Sequence, residues 1–285
     1  MDLQVDFKMF LDVEKGRAEN TSRCYLSDLG QFERFIKKDL VQISPRDIRS
    51  WMSMMKSRGY RNETISRKLS SLRQFYRFLQ KEKVIEKDPL LFIERPKREK
   101  RLPEFLTQEE TGRLLDFLSS RAYNLKGKRD YVIASLLYYT GMRISELTNL
   151  RLSDIQSTEG GLTVRVKGKG NKERIIPLNR KVQDVLVIWQ MTRPNTIHDY
   201  IFVTKGGEKL YSRYPQRLLR RIGNELGINK RLTPHKLRHT FATHLLHKGE
   251  DLINIQSLLG HATLATTQIY AHTTMDRLNK AVEKL

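Results

Sequence analysis

Three short motifs near the end of the chain carry side chains that are suited to chemistry on a phosphate. They are His235-x-x-Arg238, Leu258-Leu259-Gly260-His261 and a lone Tyr270. A phosphodiester resists attack because its oxygens repel nucleophiles, so an enzyme that works without a metal needs fixed cations, proton donors and a side-chain nucleophile. Two imidazoles, a guanidinium and a phenol supply those parts. The motifs therefore indicate attack on a DNA phosphate.

The charge balance of the chain indicates a polyanionic partner. The 285 residues include 53 Lys and Arg against 32 Asp and Glu, a formal net charge of +21. Such a surplus is typical of proteins that bind nucleic acid or an anionic membrane surface. Residues 51–100 and 201–250 each carry a surplus of eight positive charges. A solvated lysine surface would also make a chain basic, but this segregation favours two stretches that face the anion.

Cysteine content and hydropathy limit the class of protein. Cys24 is the only cysteine, which excludes an intrachain disulfide and any zinc site with two cysteine ligands. No run approaches about 18 uninterrupted apolar residues, and Met1–Asp6 is acidic where a signal peptide would be basic. We expect a cytoplasmic protein that neither crosses nor binds a membrane.

Residues 5–90 show the apolar spacing of helices, and their start and stop signals predict four. Ser44-Pro45 is a typical helix start and Gly59 a typical stop. Between them lies an apolar stripe of Ile48, Trp51, Met52 and Met55. A second stripe predicts the next helix, with Ile65, Leu69, Leu72, Tyr76 and Leu79 in the core. Around it Arg67, Lys68, Arg73 and Arg77 are candidates for phosphate contacts.

The proline-bracketed segment Arg95–Pro103 is polar and basic, without helical or strand periodicity. It predicts an interdomain linker between a helical domain, residues 1–94, and a second domain, residues 104–285. Thr107-Gln-Glu-Glu110 is a capping box that opens this second domain. A hinge exposed to solvent explains the linker's charge nearly as well as contact with a phosphate backbone.

The second domain is predicted to be mostly helical with a small antiparallel sheet. A helix ends at Gly141 just before Arg143, and residues 162–178 form a hairpin with a basic Gly-rich turn. A second short hairpin is predicted at 201–211, followed by a helix at about 213–227. Thr233-Pro234 starts the helix that carries His235 and Arg238, while His244 falls near its core stripe and is expected to be packed.

These motifs resemble those of the tyrosine recombinase (phage integrase) family, in the same order and with the family's spacing. The residues that carry the resemblance are Arg143-x-x-Glu146, Gly168-Lys169-Gly170, His235-x-x-Arg238, Leu-Leu-Gly-His261 and Tyr270. The segments 240–246 and 266–270 are similar to the Xer branch. The resemblance covers essentially the whole chain and implies a helical core-binding (SAM-like) domain and an α+β catalytic domain that form a C-shaped DNA clamp.

The resemblance implies a role for each site residue. Tyr270 would attack the scissile phosphate, and Arg143 and Arg238 would bind its non-bridging oxygens. His235 would assist deprotonation of Tyr270, and His261 would donate a hydrogen bond to the phosphate. Lys169 would protonate the leaving 5′ oxygen, with Lys167 and Lys172 as nearby rivals. Glu146 would orient an active-site cation, although an ordinary helix salt bridge explains it nearly as well.

The implied reaction is site-specific strand exchange through a 3′-phosphotyrosine and a Holliday junction. It needs no metal or cofactor, because breaking and rejoining are isoenergetic. The implied partners are double-stranded DNA at a dif-like site and three further protomers on two duplexes, with a DNA translocase as a candidate accessory partner. The tail Thr273–Leu285 would form a helix that docks on a neighbouring protomer, or equally on its own domain.

Several functions remain open from the sequence. Resolution of chromosome or plasmid dimers is the leading hypothesis, and integration of a mobile element is the alternative within the class. A type IB topoisomerase would share the chemistry but would relax supercoils without pairing two duplexes. An architectural DNA-binding protein would share the charge pattern but would not need Tyr270, Lys169 or the paired histidines.

Overall fold

The computed structural model describes residues 3–15, 19–97, 104–168, 173–260 and 278–285. Two compact units divide the chain, Met1–Leu102 and Pro103–Leu285. Each unit has its own cluster of buried apolar side chains. None of the described helices is long and apolar enough to cross a membrane.

The described residues of the first unit form four α-helices, in the number that the periodicity predicts. They are α1 (Leu3–Met9), which continues as a π-helical turn over Phe10–Glu14, then α2 (Glu19–Ile36), α3 (Pro45–Ser57) and α4 (Asn62–Lys81). The capping box of α3 is present, because the Ser44 side chain accepts from the Asp47 backbone and Asp47 accepts from that of Ser44. Ile48, Trp51 and Met55 are buried as predicted.

One of the four cations predicted on α4 is not available to a phosphate. Lys68 is 4% exposed, and its Nζ donates to Asp28 Oδ1 at 2.9 Å and to Gln31 Oε1 at 2.6 Å. Arg67 also donates to Asp28, with Nη2 2.9 Å from Oδ1. A buried ammonium is stable only with such partners. Lys68 therefore stabilises the α2–α4 packing, and the prediction of a phosphate contact for it is wrong.

The second unit combines helices with a small antiparallel sheet. Its elements are α5 (Gln108–Ser120), α6 (Leu125–Thr140), α7 (Ile144–Asn149), β1 (Ile155–Thr158), β2 (Gly161–Lys167), β3 (Glu173–Pro177), α8 (Arg180–Thr192), α9 (Arg213–Glu225), α10 (Pro234–His247) and α11 (Leu252–Leu259). The sheet is antiparallel in the order β1-β2-β3, so the predicted hairpin is confirmed and β1 adds a strand to it. The hairpin predicted at 201–211 is reduced to a single bridge between Val203 and Lys209.

Two glycines end the helices that lead into the site motifs, as their sequence positions predict. Gly141 follows α6 with φ +59°, and Gly260 follows α11 with φ +65°. Both angles lie in the left-handed region, where glycine has no steric penalty. The chain can therefore turn sharply before Arg143 and after Leu259.

Candidate active site

Arg238 is a buried and firmly anchored cation. It lies in the second turn of α10, whose N-terminus is capped by Thr233, and it is 8% exposed. Its Nη1 donates to the Gly141 carbonyl at 2.6 Å and its Nη2 to the Leu259 carbonyl at 2.7 Å. Burial, with Arg143 and Arg174 nearby, lowers the pKa of Arg238 to about 10. The guanidinium is still protonated at neutral pH, so the charge is fixed in position.

Arg143 presents a more open guanidinium beside Arg238. It immediately precedes α7, and its side chain is 40% exposed. Its Nη1 donates to Glu146 Oε1 at 2.9 Å, while its backbone N–H donates to Glu146 Oε2 at 2.7 Å. Because only one side-chain hydrogen bond is seen within the described chain, most of the guanidinium remains available to an anion.

Glu146 is the carboxylate that Arg143 contacts, and its side chain is 2% exposed. Besides Arg143, it accepts a two-point contact from Arg174 on β3, with Nη1–Oε1 at 2.9 Å and Nη2–Oε2 at 2.8 Å. Burial alone would raise the pKa of Glu146, but the hydrogen bonds and charges of Arg174 and Arg143 outweigh it and hold that pKa below its usual value. Arg143 and Arg174 contact this carboxylate, and Arg238 lies close to both arginines. One negative charge is therefore set against three guanidinium groups.

The remaining predicted site residues lie partly outside the described chain. His235 is exposed in the first turn of α10, three residues before Arg238. Lys169, His261 and Tyr270 fall outside the described residues, as do Met275 in the predicted tail and the linker residues 98–103. The described part of the site therefore brings together Arg143, Glu146 and Arg238, with a surplus of positive charge suited to a phosphate.

Comparison with known proteins identifies the family. The phage integrase family model matches residues 104–277, and the phage integrase N-terminal SAM-like domain matches residues 5–83. The chain belongs to the phage integrase family of tyrosine recombinases. It is 38% identical to tyrosine recombinase XerD of Oceanobacillus iheyensis, with 96% of this chain and 94% of that protein covered. Tyrosine recombinase XerC of Anoxybacillus flavithermus is 36% identical, with 95% and 93% covered.

The fold also matches a solved recombinase complex. The crystal structure of XerH site-specific recombinase in a post-cleavage complex with a palindromic difH substrate superposes with a TM-score of 0.73. The two chains are 25% identical, and the match covers 98% of this chain and 83% of XerH. The chain is therefore a site-specific recombinase of the Xer type, an enzyme that cleaves and rejoins DNA strands.

Arg174 is the one member of this recombinase cluster that the sequence analysis missed. The signal was present, since alternation along β3 places Arg174 on the same face as buried Ile176, and its cross-strand partner is buried Val166. A cation at an inward-facing strand position requires a buried partner. That partner, Glu146, lies 28 residues earlier in the chain and could not be chosen from local pattern.

His244 is a packed histidine of the recombinase core, as the sequence predicts. Its Nε2 lies 2.8 Å from the Leu106 carbonyl, so this nitrogen donates, and its Nδ1 lies 2.9 Å from the Tyr138 hydroxyl. The ring is 2% exposed, and burial lowers its pKa despite the hydrogen bond to Leu106. Both imidazole nitrogens are occupied, so His244 is part of the support for α10.

Proposed function

We propose that Tyr270 attacks the scissile DNA phosphate and that Arg143 and Arg238 bind its non-bridging oxygens. The observation that best supports this proposal is the cluster of Arg143, Arg174 and Arg238 around Glu146. Glu146 offsets one of these three positive charges, so a surplus of two remains for a phosphate. An attacked phosphate gains negative charge in its transition state, and preoriented guanidinium groups stabilise that charge without reorganising. Planar two-point donors also match the phosphate geometry better than an ammonium does.

The other roles follow from the chemistry of each side chain. A tyrosine with its usual pKa of about 10 is mostly protonated at neutral pH, so Tyr270 needs a nearby base, which we assign to His235. We assign Lys169 as the proton donor to the leaving 5′ oxygen. His261 donates a hydrogen bond to the phosphate. The products are a phosphotyrosine at the 3′ end and a free 5′ hydroxyl, and the reverse attack by a partner strand restores the backbone.

The biological role we propose is the resolution of chromosome or plasmid dimers at a dif-like site in the cytoplasm. The relatives named XerC and XerD and the difH complex of XerH support it. Exchange between two duplexes breaks four strands, and each protomer supplies one tyrosine, so four protomers are needed. A DNA translocase is a candidate accessory partner. We also propose that residues 1–94 form the core-binding domain, residues 95–103 the linker and residues 104–285 the catalytic domain.

The C-terminal tail is the proposed contact between protomers. Residues 278–283 are helical, and Leu278, Ala281 and Val282 are buried in the second unit of the same chain. Polar contacts accompany them, since Asn179 Nδ2 donates to the Val282 carbonyl at 3.5 Å and Lys284 pairs with Glu250 at 2.8 Å. We propose that, in the assembly on DNA, this tail binds the same surface of a neighbouring protomer.

A covalent-trapping experiment tests the nucleophile. Duplexes that the protein selects from a randomised pool are resynthesised with a nick just 3′ of the cleavage position. The short fragment that carries the free 5′ hydroxyl then diffuses away, and the 3′-phosphotyrosine adduct persists. The wild type should form an SDS-resistant protein–DNA adduct, and Tyr270→Phe should form none. Tyr123→Phe is the matched control, because Tyr123 is 81% exposed in the same unit. An adduct that survives Tyr270→Phe would refute the proposal.

A further inference from the structure

Arg174 holds two parts of the site at once. Its two terminal nitrogens bind both oxygens of Glu146, and its Nε donates to the Leu258 carbonyl at 2.8 Å. The side chain is only 11% exposed. Leu258 lies in the last turn of α11, where backbone carbonyls have no partner within the helix and where a cation is favoured by the helix dipole. Arg174 thus joins the Glu146 carboxylate to the end of α11.

The surroundings leave Arg174 little freedom. A Cβ atom on Gly260 would lie 2.8 Å from Arg174 Cδ and 3.0 Å from its Nη1, so the absence of a side chain at Gly260 lets the guanidinium pass. Arg238 binds the next carbonyl, that of Leu259. Two arginines therefore fix consecutive carbonyls immediately before the turn that leads to His261.

The charge balance of Glu146 gives Arg174 a second effect. A carboxylate and a guanidinium that face each other with two hydrogen bonds largely cancel each other's charge. Because Arg174 forms that two-point contact, Arg143 makes a single side-chain hydrogen bond to Glu146 and keeps its other N–H groups free of this carboxylate. Apart from Arg174, the partners of Glu146 among the described residues are the backbone and side-chain N–H groups of Arg143.

We propose that Arg174 is a positioning residue for strand cleavage. It takes up the charge of Glu146, so that Arg143 remains available to the phosphate, and it fixes the exit of α11 in front of His261. Arg174 is only 11% exposed, so it acts through Glu146 and α11 and not as a ligand of the phosphate. This inference rests on the proposed function, because it assumes that Arg143 binds the scissile phosphate.

A double-variant experiment separates this role from simple packing. Single-turnover cleavage of the nicked duplex is measured for the wild type, Arg174→Met, Glu146→Gln and the combined Arg174→Met/Glu146→Gln variant. We expect Arg174→Met to cleave at least about tenfold more slowly with DNA affinity unchanged, a smaller loss than the roughly hundredfold or more found when a direct donor to a developing anion is removed. Adding Glu146→Gln should restore at least about a third of that loss, because the carboxylate that captures Arg143 is then neutral.

Loss of apolar packing alone predicts the opposite result, since a second substitution in the cluster would slow cleavage further. Arg174→Met also leaves the buried Glu146 charge less compensated, which lowers the free energy of unfolding. Urea unfolding is therefore measured on the same variants, and a rescue of cleavage that only follows recovered stability would also overturn the inference. The inference is overturned if Arg174→Met cleaves at the wild-type rate or if the double variant is no faster than Arg174→Met. Arg165→Met is the matched control, because Arg165 lies on the adjacent strand β2 and only approaches Asp154, at 3.8 Å. It should cleave at the wild-type rate.

A conservative variant keeps the test decisive if Arg174→Met does not fold. Arg174→Lys retains a cation but cannot contact both Glu146 oxygens and the Leu258 carbonyl together. It should cleave several-fold more slowly than the wild type and regain speed when Glu146→Gln is added. Equal rates for Arg174→Lys and the wild type would overturn the inference. A wild-type protein that forms no Tyr270-dependent adduct would instead refute the proposed function.

Discussion

The anchoring of Arg238 to two backbone carbonyls makes a guanidinium necessary at this position. A lysine ammonium is a single point of charge, so it cannot contact the Gly141 and Leu259 carbonyls and also present donors to a phosphate. We expect Arg238→Lys to slow cleavage of the nicked duplex by about a hundredfold or more while DNA binding changes little. Single-turnover cleavage and gel-shift titration measure the two effects.

Arg113→Lys is the control for this prediction. Arg113 is exposed on α5 of the same unit and donates to one carbonyl, that of Leu226, at 2.8 Å. A lysine can replace that single contact, so cleavage should not change. A cleavage rate for Arg238→Lys close to that of Arg113→Lys would show that the double anchor of Arg238 does not matter.

The buried His244 predicts a pH dependence of stability. Its pKa is lowered in the folded protein by burial, with His247 and Lys248 adding to the effect, whereas the unfolded chain keeps the ordinary value of 6.5. Below that value the unfolded state binds more protons at this site, so the free energy of unfolding falls as pH decreases from about 7. Urea unfolding at pH 5.5–8 should show a smaller decline for His244→Gln than for the wild type.

His247→Gln serves as the comparison for the pH series, because His247 is an exposed histidine on the same helix. It should keep most of the wild-type slope. His239 also has a pKa lowered by burial, so some decline should persist in every variant. A slope that His244→Gln leaves intact would assign the pH dependence to other groups.

At the scale of elements, the turn after α6 positions both arginines of the site. Gly141 has φ +59°, and a Cβ there would lie 2.6 Å from Phe241 Cδ1 and 2.9 Å from Leu259 Cδ2. The left-handed conformation alone costs a non-glycine residue roughly 1–2 kcal/mol. With the clash added, Gly141→Ala should lower the free energy of unfolding by about 2–4 kcal/mol and should also slow cleavage, because the Gly141 carbonyl anchors Arg238.

Gly112→Ala is the matched substitution. Gly112 lies inside α5, and a Cβ there would meet no atom within 4 Å. Alanine in a helix interior is favoured over glycine by roughly 0.5–1 kcal/mol. This variant should therefore be slightly more stable than the wild type and should cleave normally. Equal stability of the two alanine variants would contradict the role given to the turn.

Local signals in the sequence predict several of the helix boundaries. Ser44, Thr107 and Thr233 cap the helices that they were expected to cap, and Gly141 and Gly260 end theirs in the left-handed conformation. Each signal acts through hydrogen bonds or φ angles within a few residues, which is why a single sequence contains it.

Contacts between residues that are far apart in the chain could not be predicted from the sequence. The partner of Lys68 is Asp28, 40 residues away, and that of Arg174 is Glu146. Strand β1 is a largely exposed edge strand and was not predicted from the sequence. Around Gly206 and Gly207, the predicted hairpin forms only one β-bridge, between Val203 and Lys209. In each case the outcome depends on a surface supplied by a distant segment.

At the scale of the whole molecule, part of the positive-charge surplus of residues 201–250 lies on the exposed side of one helix, α9. The exposed side of α9 carries Arg213, Arg217, Arg220 and Arg221, while Leu218, Leu219 and Ile222 on its other side are buried. Arg221 pairs with Asp130 and Glu225, but Arg220 is exposed and has no hydrogen bond or ion pair to any part of the chain described by the structure. Arg213 is likewise exposed and has no such contact among the described residues, so Arg213 and Arg220 are the two candidates on α9 for a phosphate contact.

Salt dependence of DNA binding tests this surface. A protein that neutralises about 6–10 phosphates shows a slope of roughly −5 to −9 in a plot of log affinity against log salt concentration, and removing one cation that neutralises a phosphate makes the slope shallower by about 0.9. Arg220→Gln should produce that change for any duplex sequence if Arg220 contacts a phosphate. Arg121→Gln should not, because Glu225 already offsets Arg121 with a 2.6 Å ion pair. Fluorescence anisotropy titrations between about 50 and 200 mM salt, the range over which such contacts weaken, distinguish the variants. An unchanged slope for Arg220→Gln would show that Arg220 does not contact a phosphate.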